Sequence, residues 1–527
     1  MLRDVAVAID DERKRYDELP YESFPFAVSH PGHLRAIGAL FGLKAPELNK
    51  ARVLELGCAA GNNIIPFAAN YPKAAVVGID LSEVQINDAK RQVAALGLKN
   101  IDLKTASITD VDVTWGKFDY IICHGVYSWV PEAVQKKILE ISSNNLSQNG
   151  IAYISFNTLP GWNIAGSVRE MMRYHSSNFK DLNEQVKQAK SILGFVNEAT
   201  QASNNYHSQI FANEVAQIQS GGDIYLRHEY LAEFNKAFYF HEFIRDVEAC
   251  GLKYLADSNI NTMCIENYPD KAIELLNSIN DITRVEQYMD FISNRKFRPT
   301  LLCHQNINLN RKLTPEIFEN YYFHLNFIDQ EIKSSEIFND KEITFHIVGD
   351  KNFSTDSSVL KIALVEMFNS GYEYKIRELV AIVAKKLPRL DREIIRKELL
   401  NSFIELAKAG YASFSLEKPL YISGISNKPR VSKVALYHAR QENQLWTINQ
   451  KHFKILLNVI DKLIMQCLDG KHDINFIEKY LIENYKKGVI KVTNNGQPAE
   501  EKHVKPLVRQ YIQATFKKFA GMQLFVE

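Results

Sequence analysis

Glu55-Leu56-Gly57-Cys58-Ala59-Ala60-Gly61, followed by Asp80, are the first residues of this chain whose types and spacing could do chemistry. Gly57 permits a tight turn after an apolar run, and small Ala59, Ala60 and Gly61 let backbone approach a ligand closely. A nicotinamide fingerprint reads GxGxxG. Here the spacing is GxxxG, without the middle glycine that makes room for a pyrophosphate, so a nucleoside ligand without phosphates fits better. Asp80 ends the next apolar run about 20 residues on, where an acid can accept hydrogen bonds from both ribose hydroxyls. Ser107 and Ile108 could frame an adenine edge, the hydroxyl beside the amino group and the aliphatic chain against the ring. Ser107 reads equally well as a turn residue.

Further along stand Tyr127, Trp129 and Trp162, just past two further apolar runs. Aromatic faces attract ammonium groups by about 0.5–2 kcal/mol, so these three could wall a slot for an amine, or could simply pack. His124 could accept a proton or flank a ligand through its backbone, and the second role is expected. Asn157 could orient an amine through its amide oxygen or cap a turn. The pairs His228-Glu229 and His241-Glu242 lack HExxH spacing and are expected to be polar residues at helix ends, with no metal. The six cysteines form no CxxC pair or Cys/His cluster, which disfavours a disulfide framework or zinc site and suits a reducing cytoplasm.

The elements that must position these residues alternate strand and helix. Val53–Leu56 is an expected strand, Asn62–Ala69 a helix, Ala75–Ile79 a strand, and Ser82 the N-cap of a helix through Leu96. Ile101–Leu103, Phe118–Cys123 and Ile151–Phe156 continue the rhythm, with a helix over Pro131–Leu146. Five such strands imply an α/β fold built on a mostly parallel sheet. Residues 165–235 turn helical and polar, an insertion that could form a lid or a subunit interface. A helix ending at Gly251 then leads to two expected closing strands, Leu252–Ala256 and Thr262–Ile265. The resulting division is an N-terminal arm or lid (1–28), the sheet domain (29–267), a middle domain (268–336) and a helix-rich C-terminal region (337–527). That last region carries a weak duplication, Val359–Phe368 with Ser370-Gly371 against Ile455–Leu468 with Asp469-Gly470. Each copy has the outline of a winged helix ending in a short strand, Ala412–Leu416 and Gln523–Val526.

The 527 residues balance Lys+Arg 63 against Asp+Glu 62, a formal charge of +1, which removes the electrostatic case for a dedicated nucleic-acid or anionic-membrane binder. No apolar run approaches the ~20 residues of a membrane span, and the charged N-terminus does not read as an export signal. A cytoplasmic protein without membrane insertion is expected.

Val53 to Gly61 resembles the first motif of class I S-adenosylmethionine-dependent methyltransferases. Val77-Gly78-Ile79-Asp80-Leu81-Ser82 resembles their ribose-binding strand end, and Phe118-Asp119-Tyr120-Ile121-Ile122 their fourth strand. Ser107 departs from the pattern, standing where Asp is common. The resemblance implies a Rossmann-like sheet and S-adenosyl-L-methionine as cofactor, leaving as S-adenosyl-L-homocysteine. It implies cofactor contacts from Glu55, Gly57, Cys58, Ala59, Gly61, Asn62, Asp80, Leu81, Ser107, Ile108, His124, Gly125 and Val126, with Tyr16 and Ser23 of the arm folding over. Tyr21, Tyr127, Trp129, Asn157 and Trp162 would surround the reacting amine.

A narrower resemblance rests on four segments: Tyr16 to Phe26, His124 to Pro131, Asn157 to Trp162, and Arg295 to Arg298 with Leu301-Leu302-Cys303. They are similar to bacterial methyltransferases with a regulatory domain, and most similar to rickettsial protein lysine methyltransferases that modify an outer-membrane surface protein. That implies methylation of lysine side chains on a surface protein before export, and a homodimer through the insertion is expected. The other readings are a small-molecule methyltransferase, and a regulator that senses S-adenosylmethionine and binds DNA or protein through its C-terminal region.

Overall fold

A computed structural model describes residues 13, 17–18, 20–201, 205–326, 337, 341–347, 351–494 and 497–527. Seven strands form the main sheet: β1 (Arg52–Leu56), β2 (Ala75–Asp80), β3 (Ile101–Thr105), β4 (Phe118–Cys123), β5 (Leu146–Asn157), β6 (Leu252–Asp257) and β7 (Phe297–His304). Their order is β3-β2-β1-β4-β5-β7-β6, the first five parallel and β7 antiparallel to both its neighbours. Period-two alternation sorts the side chains. Val53, Val76, Tyr120 and Tyr153 enter one core, while Leu54, Ile121 and Ile154 enter the other. Both faces are thus covered, which is why the central runs are almost wholly apolar.

Helices α1 (Pro31–Leu40), α2 (Ile65–Asn70), α3 (Glu83–Leu96) and α4 (Glu132–Asn144) flank the sheet. The expected cap of α3 is present, Ser82 Oγ accepting the Gln85 N–H at 3.2 Å.

One closing strand differs from expectation. Thr262–Ile265 forms part of two short 3-10 turns, with Asn267 Nδ2 donating to the Asn261 carbonyl at 2.8 Å. The seventh strand is β7, whose pattern is masked by a charged residue facing inward. Arg298 is fully buried, its guanidinium donating to Asp290 (2.8 Å), Glu286 (2.9 Å) and Asp257 (3.3 Å) and lying over the Phe240 ring. A buried cation needs such partners, and these three acids lie in two other elements, a helix (Ile282–Ser293) and β6. The sheet therefore runs to His304, past the boundary expected at 267.

The insertion consists of α5 (Trp162–Ser176), α6 (Leu182–Gln201) and α7 (Tyr206–Tyr225), with a small core of its own around Met172, Leu193 and Val215. A five-residue π turn, Leu226–Tyr230, returns the chain toward α8 (Phe240–Ala249). Two further helices, α9 (Asp270–Asn277) and α10 (Ile282–Ser293), precede β7.

Two winged units follow. The first holds α11 (Ser358–Ser370), α12 (Ile376–Lys386) and α13 (Arg392–Lys408), and its three-stranded sheet is centred on Tyr322–Leu325, flanked by Tyr374–Lys375 and Ala412–Ser415. The expected middle domain is thus divided, β7 serving the main sheet and Tyr322–Leu325 the first winged unit. The second holds α14 (Lys433–Arg440), a hairpin Trp446–Ile448/Lys454–Leu456, then α15 (Val459–Gln466), α16 (Ile474–Lys486) and α17 (Glu501–Gly521). Its helix starts at Val459, after the Asn458 cap, because Lys454–Leu456 is taken by the hairpin, and its last strand shrinks to a bridge between Val431 and Phe525. No helix among the described residues is long and apolar enough to cross a membrane.

Candidate active site

The β1 strand delivers Glu55 to the sheet's carboxyl edge and turns at Gly57, where φ is +75°. A Cβ there would stand 2.6 Å from Val126 Cγ2, so the loops after β1 and β4 approach as closely as glycine allows. Ala59 takes φ +47°, a conformation costly for a residue with a side chain. Its N–H donates to Asp80 Oδ2 at 2.8 Å, and the Ser82 N–H donates to Oδ1 at 2.9 Å. Burial raises the Asp80 carboxyl above its ordinary range, and these two backbone donors pull it back.

Glu55 is only 3% exposed. Its Oε1 accepts from Asn63 Nδ2 at 2.6 Å, while Oε2 has no hydrogen-bond partner among the described residues. Burial, opposed by the Asn63 bond, pushes this carboxyl up to about 8. An unsatisfied buried oxygen calls for a donor.

Tyr21, Ser23, Glu55, Gly57, Cys58, Ala59, Asp80, Leu81, Ser107, Ile108, His124, Gly125, Val126, Trp129, Asn157 and Trp162 line one cavity of about 400 Å³. Ser107 also caps its own turn, Oγ accepting the Thr109 N–H at 3.2 Å and its N–H donating to Asp110 at 2.9 Å. The ring of His124 bonds the Tyr153 hydroxyl at 2.7 Å and lies 3.7 Å from the Phe26 ring. Burial pushes it down to about 3, so it is neutral at ordinary pH.

Three expected residues stand elsewhere. Tyr127 is 2% exposed and packs against Phe156, Phe238 and Phe243, because the short 127–129 turn directs it into the sheet's second core while Trp129 meets the cavity. It is a packing residue, not a wall of the amine slot. Gly61 and Asn62 do not line the cavity. Asn62 instead ties down the arm, its N–H donating to Ser23 Oγ (3.1 Å) and Nδ2 to the Ser23 carbonyl (3.2 Å). Tyr16 lies outside the described residues.

Several lining residues were not singled out from the sequence for this role. Phe24, Phe26 and Asn63 close the cofactor end, and Tyr225, His228, Glu229, Lys296 and Phe297 close the rest. The pair His228-Glu229, expected at a helix end, instead faces the cavity from the π turn. The pair His241-Glu242 does sit at the start of α8, His241 bonding Gln287 and Glu242 accepting the Tyr239 N–H. Among the described residues no group of three or more His, Cys, Asp or Glu could hold a metal ion.

The C-terminal unit packs behind this lining. His452, at the tip of the Trp446–Leu456 hairpin, places Nε2 2.9 Å from Asn63 Oδ1, which also accepts the Phe26 N–H at 2.8 Å. Phe24 meets Trp446 edge-on at 5.6 Å and carries the Lys454 ammonium 3.6 Å above its ring.

This donor set fits a nucleoside with a cationic tail. Asp80 offers carboxylate oxygens where a ribose would lie, Ile79, Leu81 and Ile108 give apolar contact for a base, and the orphaned Glu55 Oε2 awaits a donor.

Comparison with known proteins agrees. Residues 48–215 match the family model of a methyltransferase domain, 222–304 that of a "Predicted methyltransferase regulatory domain", and 427–524 that of a "PKMT, C-terminal winged helix domain". The chain superposes on PKMT2 from Rickettsia typhi with a TM-score of 0.89 and 37% identity, over 96% of this chain and 100% of that one. A structure of PKMT2 in complex with AdoHcy matches equally well. An uncharacterised protein of Rickettsia prowazekii is 40% identical over 522 residues, 97% of this chain and 93% of that protein.

Proposed function

This chain belongs to the family of S-adenosylmethionine-dependent methyltransferases that includes Rickettsia typhi PKMT2, and from that premise we propose that it is a protein-lysine N-methyltransferase. Its substrate is a bacterial outer-membrane surface protein, methylated in the cytoplasm before export.

The observation that carries the lysine reading is the character of the cavity beyond the cofactor residues. Trp129, Trp162 and Tyr225 supply aromatic surface, and Glu229 supplies an anion. The one lysine lining that cavity among the described residues, Lys296, is already engaged by Glu214 at 2.7 Å. Such a site attracts an ammonium and disfavours a carboxylate substrate. S-adenosylmethionine supplies an electrophilic methyl group when bound. The protein's task is then to align a deprotonated amine, and removing water from it favours the neutral form.

The homodimer reading is supported by Tyr174 and Phe195, large side chains 85% and 66% exposed on the insertion helices. Light scattering that gives a monomeric mass overturns it. The function itself is tested by incubating the protein with methyl-labelled cofactor and unstructured polypeptides, including fragments of surface proteins, and mapping the label by mass spectrometry. Label on lysine Nζ is expected. Label confined to small molecules, or to other residue types, rejects the reading.

A further inference from the structure

We propose that Glu229 is the proton acceptor for the substrate's ammonium, a proposal that rests on the lysine reading above.

The geometry begins with the π turn. Gly222, at φ +72°, breaks α7 just before it, and the five residues Leu226–Tyr230 complete the return. Leu226 and Tyr230 bury into the insertion core, while His228 and Glu229 face the cavity. π turns recur at functional sites because the extra residue reorients neighbouring side chains. The turn is also tied to the sheet. Asn157, the last residue of β5, donates from Nδ2 to Asn235 Oδ1 at 3.2 Å, and Asn235 Nδ2 donates to the Glu229 carbonyl at 3.1 Å. The amide at the strand end and the carboxylate on the insertion are thereby held to one frame.

The other acids of this region are committed. Asp80 accepts from Ala59 and Ser82, Glu55 from Asn63, and Glu214 from Lys296 and the Tyr230 hydroxyl. Among the described residues no hydrogen bond or ion pair engages the Glu229 carboxylate, and burial alone pushes it up to about 7. Neither His124 nor Tyr21 suits the role. His124 is bonded to Tyr153 and held far below neutrality, and burial together with Glu229, Tyr225 and Glu22 pushes the Tyr21 phenol up to about 12, so it keeps its proton. The charged and titratable groups around Glu229 are Tyr21 and Glu22 from the arm, Tyr225 and His228 from its own segment, Arg227 with its Glu18 contact, and the Lys296–Glu214 pair at the rim.

The step moves one proton. An N–H bond of the substrate ammonium breaks and its electron pair stays on nitrogen, while the proton forms an O–H bond with a Glu229 carboxylate oxygen. The amine lone pair is then free to take the methyl group, and Glu229 returns its proton to solvent before the next turnover. A free lysine has pKa ~10.4. The Trp129, Trp162 and Tyr225 surfaces lower that value by excluding water, which brings it toward that of Glu229.

The test compares wild type, Glu229→Gln and Glu229→Asp on an unstructured lysine-bearing polypeptide that the wild-type chain labels. Cofactor affinity by calorimetry should be essentially unchanged in both variants. The kcat of Glu229→Gln should fall by about 10²–10⁴-fold, the usual worth of a positioned proton acceptor. Wild-type kcat/KM should rise with pH through about 7, where Glu229 ionises. That limb should vanish in Glu229→Gln and persist in Glu229→Asp. Independently of turnover, binding of the same polypeptide with S-adenosylhomocysteine present should tighten across that pH range in wild type and stay flat in Glu229→Gln. A Glu229→Gln enzyme that keeps its rate, or keeps both pH dependences, overturns the proposal. Loss of cofactor affinity alongside a retained Glu229→Gln pH limb overturns it too, since the residue would then be structural. A wild-type chain that labels no lysine fails at the first step and rejects the lysine reading itself, and this proposal with it.

Discussion

His452 Nε2 lies 2.9 Å from Asn63 Oδ1 across 389 positions of sequence, so a residue of the last winged unit is hydrogen-bonded into the loop that forms the cofactor site. Asn63 in turn holds Glu55 at 2.6 Å. The winged unit therefore buttresses the wall of the active site from behind.

His452→Ala should weaken S-adenosylmethionine binding about five-fold, the equivalent of one net hydrogen bond of ~1 kcal/mol. Calorimetric titration of the full chain checks this. Affinity equal to wild type would mean that the contact holds the modules together without bearing on the cofactor.

Asp80→Asn should cost more. The amide presents only one acceptor where the carboxylate now takes the Ala59 and Ser82 N–H groups. Bonds to charged groups are worth about 1.5–3 kcal/mol, so a loss of cofactor affinity of roughly ten- to a hundred-fold is expected by the same titration.

Tyr127 and Trp129, two residues apart, should separate by assay. Tyr127→Ala removes a buried ring from an aromatic cluster and should lower stability by about 3–5 kcal/mol, visible in denaturant melts. Trp129→Leu should leave the melt much closer to wild type. It should reduce methyl transfer to a lysine substrate by about 2- to 30-fold, the worth of one cation–π contact.

Stability should depend on pH with two opposing slopes. Burial holds His30, His33, His124, His324, His438 and His452 neutral, with His452 pushed down to about 4. The unfolded chain binds these protons near pH 6.5, so this stability is full above that pH and is lost as pH falls toward 4. Glu55, pushed up to about 8, acts in the other direction. Its contribution is full below about 4.5 and is lost as pH rises through 8. Glu55→Gln should therefore raise the melting temperature of the cofactor-free protein relative to wild type at pH 8, with little difference at pH 4.5. Scanning calorimetry at the two pH values decides the point.

Much of the main sheet is legible in the sequence because β1, β2, β4 and β5 bury apolar residues on both faces, and because Gly57 and Asp80 fall where the loops must turn. Strand β7 is not legible, since its inward Arg298 depends on Asp257, Glu286 and Asp290, and charge partners in other segments leave no local trace. The cofactor half of the cavity could be read from one contiguous motif. The other half could not. Glu229 and Tyr225 arrive there through a π turn at the foot of a helical insertion, and no periodicity announces that turn. Tyr127 shows the converse limit: composition marks an aromatic, but the 3-10 turn decides whether it faces ligand or core.

The arm carries a consequence for the order in which the protein comes into being. Phe24 sits beneath the Lys454 ammonium and beside Trp446, while Phe26 covers His124. The arm thus acquires its final partners from the second winged unit, far along the chain. The sheet is complete at His304, but the packing of the arm must wait for the hairpin around His452. The arm is therefore fixed over the cofactor site only once the second winged unit has folded against it.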